Sequence, residues 1–305
     1  MTGPAAEIEA MIGQEIDTPV PAAIQAVAEA ARERHGPAVA GVLFYGSCLP
    51  GGADLDGVAD LYLLVESYTE AYRNPLLRVA NATLPPNVFY IETPFAEQVV
   101  RAKYAILSLT HLERLVSPRT LQSYFWARFA QPVRLVWARD AQMRARLCTA
   151  MSQAVATTAQ EALPLLSEPL SAQELFRRAF QESYRTELRS ERANRSAEIY
   201  DRFAQRYDRL AALLLSQAPH QDAPSAGAAH RAAARWRRRR WLGKLLSVLR
   251  LMKGAFTFKD GASYLLWKIE RHSGVRQNLT PWQRRHPILA SSVLFWRLYR
   301  KGAFR

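Results

Sequence analysis

The stretch from Tyr45 to Val65 reads YGSCLPGGADLDGVADLYLLV, in which an apolar run ends in Gly46-Ser47 and, after twelve intervening residues, Asp60 opens a second apolar run. Those residue types in that order suit nucleotidyl transfer. Glycine lets the backbone approach a triphosphate closely, and a serine hydroxyl with neighbouring amides can hold its oxygens. A carboxylate on the adjacent strand can hold Mg²⁺. The chemistry asks for little else than placement of phosphates and neutralisation of developing charge. The plainer alternative is a tight turn at Gly46-Ser47 and a solvated strand end at Asp60. A carboxylate at the mouth of an apolar strand is costly to bury unless paired or metal-bound, which favours a ligand there. Asp54 and Asp56 read as loop carboxylates, Tyr62 as a core side chain and Cys48 as a small packing residue.

The elements that would position these groups are visible in the pattern. Pro21 to His35 reads as an amphipathic helix with Ile24, Val27, Ala28 and Ala31 on one face, ended by Gly36. Apolar runs at 39–45, 61–65, 88–91 and 133–137 read as strands. Helices are expected around 95–103 and 119–130, giving a mixed sheet flanked by helices over the first 140 residues. From about Met143 to Ser216 the pattern is almost wholly helical, and 217–229 (QAPHQDAPSAGAA) reads as a linker. The expected organisation is therefore 1–140, 141–216, a linker over 217–235 and a basic region over 236–305.

Charge is concentrated in that last region. Of 41 lysines and arginines, 19 lie from Arg231 onward, against only Asp260 and Glu270. A polyanionic partner follows, either an anionic lipid surface or nucleic acid. Trp241, Leu245, Val248, Leu249 and Met252 share a helix face beside the run Trp236-Arg237-Arg238-Arg239-Arg240-Trp241. Basic, tryptophan-bearing amphipathic segments suit the interface of an anionic bilayer; a charged helix lying on its own protein or binding RNA is the alternative. No apolar run reaches the roughly 18 residues needed to span a bilayer, and the acidic N-terminus has no signal-peptide pattern. The expectation is a peripheral protein on the cytoplasmic face of a membrane. Two cysteines, Cys48 and Cys148, and six histidines without ligand spacing argue against a disulfide framework or a zinc site.

The Gly46-Ser47 to Asp60 stretch resembles the motif of the DNA polymerase β type nucleotidyltransferases, departing where the second motif aspartate is replaced by Tyr62. Within that superfamily the chain resembles the mitochondrial and bacterial phosphatidate cytidylyltransferases, which make CDP-diacylglycerol and whose strand carries a single aspartate. The resemblance runs through Arg73-Asn74-Pro75, Asn87-Val88-Phe89-Tyr90 and Lys103-Tyr104-Ala105-Ile106-Leu107-Ser108. It continues in Leu121 to Val133, where Arg128, Pro132 and Val133 are kept but Gln131 replaces a lysine. In Ser183-Tyr184-Arg185-Thr186-Glu187-Leu188-Arg189 the family's Gly and Asp become Thr186 and Glu187. A weaker echo lies in Tyr264 to Ser273. The resemblance implies an α+β fold with a polymerase β type nucleotidyltransferase domain followed by a helical domain of winged-helix character. It also implies catalytic and Mg²⁺-binding roles for Asp60 and Glu187, and nucleotide contacts from Gly46, Ser47, Lys103, Arg128 and Arg189. CTP and phosphatidic acid are the implied substrates, and an anionic membrane surface the implied partner. The rivals are transfer to RNA or a small soluble acceptor, and an inactive membrane or RNA adaptor.

Overall fold

A computed structural model describes residues 3–49, 57–166, 171–187, 195–216 and 226–257. The chain opens with α1 (Pro4–Ile16) and α2 (Ala22–Glu33), then β1 (Val39–Tyr45) and β2 (Val58–Val65). The short α3 (Tyr68–Ala71) and α4 (Pro75–Thr83) lead into β3 (Asn87–Phe95) and β4 (Gln98–Ser108). Next come α5 (Leu109–Val116), α6 (Ser123–Phe129), β5 (Val133–Ala138) and the long α7 (Ala141–Ala162). The remainder is α8 (Ala172–Tyr184), α9 (Arg195–Arg202), α10 (Ala204–Leu215) and α11 (Ala226–Thr257).

The fold is α+β, built on one five-stranded mixed sheet in the order β3-β4-β2-β1-β5. The central β1–β2 pair is antiparallel, β2 lies parallel to β4, and β3 and β5 close the edges antiparallel. Because successive strand residues face opposite sides, β2 sends Tyr62 and Leu64 into one core and Leu61, Leu63 and Val65 into the other. The Leu61 side is covered by α2, whose Ile24, Val27, Ala28 and Ala31 are buried as their spacing requires. The Tyr62 side is covered by helices, and its core runs without a break through α1, α6, α7, α8 and α10 to Trp236 of α11. The helical stretch beyond Asp140 thus packs directly on the sheet. Among the described residues no strand follows β5, so the helical part shows no β-wing of a winged helix.

One local expectation changes. The segment 95–103, expected as helix, is the turn and first half of a β3–β4 hairpin, with Phe95 paired to Gln98 across a turn in which Ala96 adopts φ +52°. Its Ala, Glu and Gln suggest helix, yet Val100, Ala102 and Tyr104 are buried in strict alternation, a period of two that only a strand buries. At the N-terminus, α1 follows from Ile8, Ile12 and Ile16 at four-residue spacing, all buried against α7 and α10.

The basic region departs furthest from a solvated tail. Helix α11 begins at Ala226, inside the stretch expected as linker, and lies along the protein. Trp236 and Arg239, part of the segment read as suiting an anionic bilayer interface, are both buried, 1% exposed. Trp236 donates its indole N–H to Glu161 O at 2.9 Å, while Arg239 bonds Glu161 Oε2 at 2.6 Å and lies between the rings of Trp126 and Trp236. Arg240 reaches the buried Glu182 at 2.8 Å. At Gly243 the helix crosses so close to Thr186 that an added Cβ would sit 2.5 Å from its carbonyl oxygen. Further on, Arg250 donates to Pro85 O and Gln122 Oε1, and Lys253 to Pro86 O at 2.7 Å. Burial, with Arg250 beside it, pushes the Lys253 ammonium down to about 7. The apolar side of α11 faces the other way: Trp241 is 70% exposed, and Leu245, Val248, Leu249, Leu251 and Met252 are exposed with it. The helix is partly inverted: Arg239, Arg240, Arg250 and Lys253 turn inward, and a stripe of large apolar side chains faces outward among the exposed Arg237, Arg238 and Lys244.

Candidate functional site

The sheet register brings the motif together. In the antiparallel β1–β2 pair Tyr45 stands opposite Asp60, so Gly46 turns out of β1 directly beside that carboxylate. In the parallel β2–β4 pair the partner of Asp60 is Lys103, and the two side chains form an ion pair, Nζ to Oδ1 3.2 Å. Gly46 adopts φ +92°, and a Cβ there would lie 2.7 Å from Asp60 Oδ2. Glycine is therefore demanded twice, by the left-handed backbone and by the carboxylate pressed against it. Gly46→Ala is expected to displace Asp60 and, on the nucleotidyltransferase reading proposed below, to lower turnover at least hundredfold, with a drop in melting temperature of only a few degrees. Full activity in the alanine variant would show that this close approach is incidental.

Above these strand ends lies a cavity of about 410 Å³. Gly46, Ser47, Asp60, Lys103 and Arg128 all line it, so the structure unites five of the sequence-derived residues that lie on three different elements and one turn. Ser47 is exposed at the turn. Arg128, in the last turn of α6, is held with its guanidinium over the rings of Tyr45 (5.3 Å) and Tyr124 (5.7 Å). Gln131, which replaces a lysine of the resembled family, also lines the cavity, but its amide nitrogen donates to Ala127 O at 3.2 Å. Tyr62 is fully buried beneath Asp60, its ring against Tyr45 and Phe129, as expected of a core residue. Burial, with Tyr124 and Tyr45 beside it, pushes the Tyr62 phenol well above its usual range, so it stays neutral.

Glu187 occupies a different position. It follows Tyr184 and Thr186 at the end of α8; Tyr184 lines the cavity, whereas Glu187 is not among the lining residues. Its charge acts on the guanidinium groups of Arg128 and Arg250. Arg189, Asp54, Asp56 and the stretch 264–273 lie outside the described residues.

Among the described residues no cluster of three or more His, Cys, Asp or Glu side chains forms a metal cage. Mg²⁺ does not require one: it commonly binds through one or two carboxylates, with substrate phosphates and waters completing the octahedron. Asp60, opening into a cavity that also holds Glu198 and the cations of Lys103, Arg128 and Arg202, fits an ion arriving with a triphosphate.

Sequence reasoning missed the cavity's other walls. Tyr45 and Tyr124 are ordinary aromatic residues until the fold sets Arg128 between them. Glu198, Ile199 and Arg202 of α9, with Phe203 after it, complete the lining. Nothing in the local sequence of α9 distinguishes it from a solvated charged helix. Compared with known proteins, the chain matches no family model and no curated protein.

Proposed function

We propose that this protein is a nucleotidyltransferase that works at a membrane surface, transferring CMP from CTP to phosphatidic acid to give CDP-diacylglycerol and pyrophosphate. The observation that carries the reading is the juxtaposition, in one cavity, of the Gly46-Ser47 turn, the Asp60–Lys103 pair on neighbouring parallel strands, and Arg128. Gly46 and Ser47 bind the triphosphate through the backbone and hydroxyl. Asp60 is the residue that would hold Mg²⁺, which supplies charge neutralisation on the phosphate oxygens. Lys103 and Arg128 orient the phosphates and offset the charge that develops on them. A phosphate oxygen of phosphatidic acid forms the new bond to the α-phosphorus as the bond to the β-phosphate bridging oxygen breaks, and pyrophosphate leaves with that electron pair. The nucleophile is already anionic, so no general base is needed.

The membrane part of the proposal rests on the partly inverted α11. A stripe of Trp241, Leu245, Val248 and Met252 faces outward, flanked by the exposed Arg237, Arg238 and Lys244, while Leu76 and Val79 of α4 are also exposed. Lys253 ties the end of α11 to the carbonyls of Leu84 and Pro86, just past α4. An apolar stripe with basic flanks matches the headgroup region of an anionic bilayer. No helix among the described residues is long and apolar enough to cross a membrane.

The deciding assay is purified protein with α-labelled CTP, Mg²⁺ and phosphatidic-acid vesicles, with chloroform-soluble label as the expected product. Label appearing instead in added RNA, or no incorporation at all, defeats the lipid reading. For the membrane face, Trp241→Gln combined with Leu245→Gln is expected to abolish co-sedimentation with phosphatidic-acid vesicles while leaving folding intact, since both side chains are exposed. Vesicle binding that survives the double substitution would remove α11 from the interface.

A further inference from the structure

The cavity has two chemically different sets of charged groups. Lys103 and Arg128 belong with Asp60: Lys103 is bonded to it, and Arg128 lies over Tyr45, its partner in β1. That set is what a metal-bound polyphosphate needs. Glu198 and Arg202 come from α9 and are four residues apart, so their side chains leave the helix on one face. A carboxylate is repelled by triphosphate oxygens, and beside Arg202 it offsets the one cation that α9 brings to the cavity. An acceptor and a guanidinium side by side match a neutral ligand edge that presents a donor next to acceptors.

A cytosine ring has that edge. Its exocyclic N4 amine donates, a group that carboxylates accept from in base recognition, while N3 and O2 accept. Phe203 and Tyr184, which also line the cavity, supply aromatic faces for a flat ring. We propose that Glu198 and Arg202 are a base-reading pair that selects cytosine nucleotides, Glu198 accepting from the N4 amine and Arg202 donating to N3 and O2. This inference rests on the nucleotidyltransferase reading above, though not on its lipid acceptor.

Discrimination follows from what the pair does to other bases. Uracil sets a carbonyl oxygen against the Glu198 carboxylate and an N–H against the guanidinium, so both contacts become unfavourable. Adenine keeps an amine beside a ring acceptor but lacks the carbonyl that cytosine offers as O2, leaving one Arg202 donor unpaired. Sites built on such polar contacts reject the analogue that leaves their groups unpaired far more strongly than apolar pockets do.

Equilibrium binding to the full chain tests this with four probes in Mg²⁺ buffer: CTP, UTP, ATP and inorganic tripolyphosphate. Wild type is expected to bind CTP at least a hundredfold more tightly than UTP or ATP. Glu198→Gln should compress the CTP-to-UTP ratio to within tenfold, because the amide can both donate and accept, while tripolyphosphate binding stays within twofold of wild type. Arg202→Gln should weaken CTP at least tenfold with tripolyphosphate again unchanged. Circular dichroism checks that both exposed substitutions leave the fold intact. An unchanged CTP-to-UTP ratio in the Glu198 variant, or a wild type that binds all three nucleotides equally, overturns the pair. So does loss of tripolyphosphate binding in either variant, which would move these residues to the phosphates or the metal. A wild type that binds neither nucleotide nor tripolyphosphate would instead refute the nucleotidyltransferase reading on which the inference stands.

Discussion

Asp60→Asn is expected to reduce turnover with CTP and phosphatidic acid by at least a hundredfold, about 2.7 kcal/mol of lost transition-state stabilisation, while the protein stays folded. The amide keeps the size of the side chain against Gly46, where an Asp60 oxygen is already close enough to exclude a Cβ, so local packing is preserved. What disappears is the negative charge, and with it the carboxylate available to Mg²⁺ and the counter-charge to Lys103. Because both members of that pair are partly exposed, its loss costs stability little, on the order of 1 kcal/mol or less. Activity and stability are thus expected to separate: a large fall in kcat with a melting temperature shifted by no more than a few degrees. A variant that retains more than a tenth of wild-type activity would show that Asp60 is not the essential ligand.

The largest stability effect is expected far from the cavity, at Glu161. This buried carboxylate accepts from Arg239, whose side chain is fully buried, and from Arg235, and its backbone oxygen receives the Trp236 indole. Glu161→Ala leaves the Arg239 guanidinium enclosed by Trp126 and Trp236 without its counter-charge. Breaking one partner of a buried pair costs about 3–5 kcal/mol, whereas replacing both with apolar side chains of similar volume is near neutral. The single variant should therefore lower the denaturant midpoint strongly and expose α11 to protease, and Glu161→Met with Arg239→Met should recover most of the loss. If Glu161→Ala unfolds at the wild-type midpoint, α11 is not anchored through this pair.

The same arrangement shows what a sequence pattern conveys and what it conceals. The two central strands, the Gly46-Ser47 turn and the carboxylate at the mouth of the second run were legible because strand periodicity and turn chemistry are local. So was the outward stripe of α11, since Trp241, Leu245, Val248 and Met252 fall on one face at helical spacing whether or not the helix touches anything. The fate of the arginines beside that stripe was not legible. A run of four arginines has the composition of a solvated face, and Arg237 and Arg238 do remain exposed. Arg239 and Arg240 turn inward only because Glu161 and Glu182, far away in the chain, place buried carboxylates under that side of the helix.

The candidate site divides in the same way. By itself the sequence singled out which residues are suited to phosphate and metal chemistry, because glycine, serine and aspartate at a strand end carry that capacity locally. Only the tertiary structure decided their neighbours. Lys103 meets Asp60 through the parallel pairing of β2 with β4, a register set by which faces of both strands must be buried. Arg128 is held because Tyr45 and Tyr124 come from different elements to flank it, and Glu198 and Arg202 reach the cavity because α9 packs on α8. Apart from Tyr124, one helical turn before Arg128 on α6, these neighbours join positions tens of residues apart, fixed by how apolar faces pack, which no local run of residues records.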